Sequence, residues 1–165
     1  MSTAETSIGE QVQLLAQVFI AKKLIMSTAE SCTGGWIAQS LTDLAGSSAW
    51  FDTGFVTYSN EAKQRLLEVP AGYFKLDGPG AVSEETVLAM TQGALQNSRA
   101  NVAVAVSGVA GPDGGSVEKP VGTVWIAWQW EDKASARCFQ FTGDRRAVRL
   151  ATVEAALAGV IKLVS

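Results

Sequence analysis

The arrangement of apolar and polar residues predicts an α/β protein, a three-layer α/β/α fold around a mixed, mostly parallel sheet. Helical patterns alternate with short apolar runs along the chain. Residues 102–106 form a continuous apolar run, as expected of a strand covered on both faces. Residues 121–130 and 135–141 read as two strands joined by Glu131-Asp132-Lys133-Ala134, a spacing that suits an antiparallel hairpin and makes the sheet mixed.

The elements follow in order. Ile8, Val12, Leu15 and Phe19 recur at helical spacing and predict a first amphipathic helix over about residues 8–22. A short buried strand over 25–29 follows, then the polar turn Glu30-Ser31-Cys32-Thr33-Gly34-Gly35 and a helical pattern at Ile37, Leu41 and Leu44. Residues 50–58 are rich in aromatic and β-branched side chains and predict a second strand. A short helix over 60–67, a loop over 70–80 and a helix opened by Ser83-Glu84-Glu85 come next. The last helix fits 145–163. With 165 residues, 47% of them hydrophobic, the chain suits a single domain with its core over about 10–160.

Composition excludes several kinds of chemistry. The chain contains no histidine, which removes Ser-His-Asp and Cys-His mechanisms and every metal site built on imidazole. No dense carboxylate cluster replaces them, so neither a metal nor another cofactor is expected. A net charge of -3 without basic runs argues against nucleic-acid and anionic-membrane partners. The polar, acid-bearing first ten residues do not resemble a secretory signal, and no apolar stretch reaches the ~18 residues of a membrane-spanning helix. Cys32 and Cys138 lie in unrelated contexts, which suggests reduced thiols and a cytoplasmic protein.

Four places carry groups suited to chemistry. Ser31 stands where a buried strand gives way to a helix, followed by Thr33, Gly34 and Gly35, whose amides suit an anion or an oxyanion; by spacing alone, Ser31 or Thr33 equally suits a helix cap. Lys63 lies about one turn into the short helix after the second strand. Burial would lower its pKa from ~10.4 towards ~7 to 8, the range of a catalytic base, whereas a solvated lysine would stay charged. The run Ser107-Gly108-Val109-Ala110-Gly111-Pro112-Asp113-Gly114-Gly115 offers many amides and little side-chain bulk, as either an anion nest or a tight structural loop. Arg145 stands at a helix start, where its planar fork suits a phosphate, or solvent. Cys32 is an alternative nucleophile that lacks a histidine to ionise it, and the five tryptophans fit core positions.

Five stretches taken in order, Ala29 to Gly35, Gly54 to Lys63, Gly80 to Ser83, Ser107 to Gly115 and Lys119 to Val124, resemble the CinA C-terminal family over about residues 10–160. The resemblance implies a nicotinamide-nucleotide amidase that converts nicotinamide mononucleotide to nicotinic acid mononucleotide and ammonia. It assigns Ser31 as nucleophile, Lys63 as general base, Tyr58 as a neighbouring catalytic tyrosine and Arg145 as the contact to substrate phosphate. Ser48, Ser107 and Gly108 are implied as pocket walls, and a homodimer agrees with the family. The larger N-terminal domain of some relatives, linked to nucleotide pyrophosphatase activity, has no counterpart in these residues. Two other readings stand beside this one, a catalytically silent nucleotide-binding module and an amidase for a different amide.

Overall fold

The computed structural model describes residues 3–165. Helix α1 (Thr3–Lys22) leads into strand β1 (Met26–Glu30), helix α2 (Trp36–Thr42) and strand β2 (Phe51–Val56). Helices α3 (Asn60–Leu67) and α4 (Glu84–Gln96) precede strand β3 (Val102–Gly108). The hairpin of β4 (Thr123–Trp130) and β5 (Lys133–Gln140) and helix α5 (Arg145–Val164) complete the chain.

The five strands form one sheet in the order β2-β1-β3-β4-β5. β1 pairs in parallel with both β2 and β3, β4 runs antiparallel to β3, and β5 runs antiparallel to β4. Every strand but β4 therefore points the same way, and the sheet is mixed as expected, with two parallel and two antiparallel pairings.

The alternation of β3 divides the core. Val102, Val104 and Val106 pack with residues of α1, α2 and α5 on one face. Ala103 and Ala105 pack with Val87, Met90 and Ala94 of α4 and Leu67 of α3 on the other. The small side chains on that second face let α4 lie close to the sheet. Gly93 serves the same closeness, since a Cβ there would come within 2.0 Å of the carbonyl oxygen of Leu67, the last residue of α3. The site lysine is on α3, so the packing of α3 against α4 fixes its placement.

Several boundaries differ from the sequence reading. β1 runs one residue further than expected and ends on Glu30, which is fully buried. β2 stops at Val56, before the expected 58; Thr57 still donates its amide to Glu30 O of β1, but Ser59 then caps α3 and turns the chain away. β3 takes in Ser107 and Gly108, which pair with Trp125 and Val124. The β4-β5 connection narrows from four residues to two, since Trp130 pairs directly with Lys133 and Glu131 adopts a left-handed φ of 52°. A short 3₁₀ turn, Ala71–Phe74, lies within the expected loop.

From β1 the chain reaches β2 on one side through α2, and it later returns to β3 on the other side through α3 and α4. The two connections lie on opposite faces of the sheet. A crevice at the carboxyl ends of β1 and β3 is the consequence, the place where open α/β sheets hold ligands.

Candidate active site

Ser31 follows the last residue of β1, and its amide donates to Val106 O at 3.1 Å, which ties it to β3. Gly34 and Gly35 take left-handed backbone (φ 62° and 100°) and bend the chain sharply into α2. That conformation is costly for side-chain-bearing residues. Ser31 is 8% exposed.

Lys63 reaches the serine from α3. Ser59 caps this helix by accepting from Ala62 N at 3.0 Å, and Lys63 shares the helix's buried face with Leu67, four residues on. Only 1% of Lys63 is exposed. Its Nζ lies 2.9 Å from Ser31 Oγ, 2.9 Å from Thr57 O and 3.1 Å from Tyr58 O. Two of these partners are carbonyls and can only accept, whereas the serine hydroxyl can accept or donate. An uncharged Lys63 therefore satisfies its two N–H bonds on the carbonyls and turns its lone pair to the serine O–H.

Burial favours that uncharged form. Desolvation lowers the Lys63 pKa to about 8, and the nearby Cys32 and Glu61 offset this only in part. No carboxylate bonds to its ammonium among the described residues. The same burial pushes the Cys32 thiol up to about 11, so Cys32 stays protonated at neutral pH and is a poor nucleophile.

A cavity of about 310 Å³ opens in front of the pair. Ser31, Lys63, Tyr58, Ser107, Gly108 and Arg145 all line it, together with the loop to Gly115. Arg145 donates to Gly111 O at 2.8 Å and to the Tyr58 hydroxyl at 3.1 Å, and so ties the loop to the second residue after β2. Tyr58 meets Lys63 only through its backbone carbonyl, since its ring is exposed and its hydroxyl is turned to Arg145.

Other expected residues lie elsewhere. Ser48 sits exposed in the 3₁₀ turn Ser47–Ala49 at the amino end of β2, whereas the cavity lies past the carboxyl end. A strand of six residues spans about 20 Å at ~3.3 Å each, so Ser48 does not reach this cavity within one chain. Thr33, Gly34 and Gly35 border a second cavity on the far side of the turn, beside Trp36 and Arg149. Their amides are also less available than expected. Gly34 N donates to Ser31 O, while the amides of Cys32 and Thr33 have no acceptor among the described residues.

Two residues without a role in the sequence reading hold this turn. Glu30 accepts from Thr33 Oγ1 (2.7 Å), Ile37 N (2.7 Å) and Ala38 N (3.0 Å), so a buried carboxylate caps α2 from within the strand. Burial raises its pKa, and those hydrogen bonds work against the rise. Arg149 donates to Cys32 O and Thr33 O, both at 3.0 Å. A signal for Arg149 existed: cations at 145, 146 and 149 crowd the positive end of a helix that has no acid in its first turn.

Lys63 also bears on stability. Its folded pKa of about 8 lies below the ordinary 10.5, so the unfolded chain binds more protons between these values and stability rises with pH across that interval, by at most ~1.4 kcal/mol per pH unit. Lys63→Met should therefore be more stable than the parent below pH 8, with the advantage shrinking as pH rises towards 10. Urea denaturation of both proteins at several pH values measures this; a constant difference would contradict the buried amine.

Comparison with known proteins gives a consistent result. The CinA C-terminal domain profile matches residues 9–164. A Pseudomonas putida protein named nicotinamide-nucleotide amidohydrolase PncC is 52% identical, over 99% of this chain and 96% of its own. The Escherichia coli K12 protein of the same name is 53% identical over 86% of this chain and 84% of its own. Among solved structures, the competence/damage inducible protein CihA from Agrobacterium tumefaciens superposes with a TM-score of 0.92 at 46% identity, covering 96% of each chain. A domain match across nearly the whole chain, with close relatives in both sequence and structure, establishes that this chain belongs to the CinA C-terminal domain family.

Proposed function

We propose that the protein is an amidohydrolase that deamidates nicotinamide mononucleotide, with Ser31 as nucleophile and Lys63 as general base. The observation that carries this reading is the 2.9 Å contact between Lys63 Nζ and Ser31 Oγ, made by a lysine with no carboxylate bonded to it among the described residues. The names of the relatives supply the substrate, and the free Cys32 and Cys138 thiols accord with a cytoplasmic setting.

Ser31 Oγ attacks the carboxamide carbon as Lys63 accepts its proton. The oxygen that becomes negative is stabilised by backbone amides of the turn, for which Cys32 and Thr33 N–H are the available donors. Lys63 then gives its proton to the departing nitrogen, which leaves as ammonia. A water, activated by Lys63 in turn, hydrolyses the acyl-serine and releases the carboxylate of nicotinic acid mononucleotide. Tyr58 positions the base through its carbonyl, and its hydroxyl holds Arg145 at the cavity's edge. Two guanidinium contacts leave other N–H groups of Arg145 for the substrate's 5′-phosphate.

Ammonia release from nicotinamide mononucleotide, its riboside and free nicotinamide is the direct test. Turnover should be greatest with the mononucleotide, rise with pH through one ionisation near 8, and vanish in Ser31→Ala and in Lys63→Arg, whose guanidinium stays protonated. Nucleotide binding without ammonia from any amide would favour a silent binding module, and preference for an unrelated amide would reassign the substrate.

Arg145→Ala should raise KM for the mononucleotide about tenfold or more, the loss of a charge-assisted contact, with little effect on the phosphate-free riboside. Equal losses on both substrates would remove Arg145 from the phosphate site.

A further inference from the structure

Helix α5 presents Arg145 and Arg149 one turn apart, and the two do different work. Arg145 reaches the cavity rim, whereas Arg149 reaches behind the nucleophile turn and places Nε on Cys32 O and Nη2 on Thr33 O. Its guanidinium carbon also lies 5.4 Å from the centre of the Trp36 ring, which backs the fork from the start of α2. Both contacts are charge-assisted bonds to carbonyls, about twice the strength of a neutral pair.

The direction of these bonds matters for the amides on the same peptide planes. The peptide joining Cys32 to Thr33 is trans, so the N–H of Thr33 points opposite to the Cys32 carbonyl that Arg149 holds. That N–H therefore faces away from α5. Donation to the carbonyl also polarises the N–H across the plane and makes it a better donor. The next plane behaves differently: Arg149 holds Thr33 O, and the opposite N–H, that of Gly34, is spent on Ser31 O. Thr33 N is thus a polarised amide, fixed in direction, with no acceptor among the described residues and two residues from Ser31.

Glu30 braces the turn from the other side. It takes the Thr33 hydroxyl at 2.7 Å and the first amides of α2. A carboxylate and a guanidinium thereby fix Thr33 through its side chain and its backbone separately.

We infer that Arg149 is a positioning residue that orients and polarises the Thr33 amide as an oxyanion donor for Ser31. The inference rests on the Ser31 amidohydrolase reading, and it assigns to Arg149 no contact with the substrate. Loss of the fork should weaken transition-state stabilisation while leaving ground-state binding and the base untouched.

The test uses Arg149→Lys, Arg149→Met and Arg149→Ala in the full chain, with the parent enzyme's turnover on nicotinamide mononucleotide measured first. Removal of one oxyanion donor costs ~10²-fold or more in kcat, so Arg149→Lys and Arg149→Met should lose about that factor. KM and the pH midpoint set by Lys63 should hold, and methylguanidinium should partly restore Arg149→Ala. In ¹H–¹⁵N spectra the Thr33 amide proton should move upfield in these variants while Val104 in the core stays in place. This spectroscopic arm does not need turnover, so an inactive parent would sink the amidase reading without deciding the clamp. A Thr33 amide unmoved in the variants would overturn the inference. So would an Arg149→Lys enzyme with parental kcat, a loss confined to KM, or a fall in folded fraction that accounts for the whole rate loss.

Discussion

On the inner face of α3, Leu67 fills its position with hydrocarbon, while Lys63, one turn earlier, puts an amine in equivalent surroundings. Burying a charged ammonium without an acidic partner is unfavourable, and a protein relieves that cost most readily by shedding the proton. The surroundings of Lys63 permit this release because two carbonyls and one hydroxyl accommodate the neutral amine without leaving a donor unmet. The rest of the site is arranged around that amine. In the proposed mechanism it stands in for the histidine that the chain lacks, and it can do so only while α3 holds it 2.9 Å from Ser31.

The layers of the fold supply that placement. Ser31 comes from the central β1, and Lys63 from a helix on the alanine-lined face of β3. Arg145 and Arg149 come from a helix on the valine-lined face. The turn after β1 lies between these two layers, with Lys63 on one side and the guanidinium groups on the other. Glu30 keeps the turn from relaxing, since its carboxylate occupies the amides through which α2 would otherwise seek solvent.

The parts of this arrangement that were legible in the sequence are those with a local signal. The 102–106 run marked a strand covered on both faces, and Ser83-Glu84-Glu85 marked a helix start that the observed cap matches. The resemblance singled out Ser31 and Lys63, which the fold brings together. What escaped were effects with no local pattern. Glu30 reads as an ordinary acid at a turn until its burial at a strand end is known, and Arg149 reads as a solvated helical cation until its two carbonyl partners are seen. Ser48 came with the resemblance alone; it precedes β2 and so sits at the amino end of that strand, away from the cavity lined by Ser31 and Lys63 within one chain. The expectation for Gly34 loses support because its amide is already spent on Ser31 O within the turn.

The central claim, a lysine whose proton is loosened by burial beside a serine, is tested most directly by following the ionisation of Lys63 itself. With ¹³C at lysine Cε and Lys63→Met to assign its signal, titration of the otherwise intact protein by NMR should show one lysine with a midpoint about 8, while solvated lysines titrate near ~10.4. A Lys63 signal that titrates with the others near ~10.4 would contradict the account.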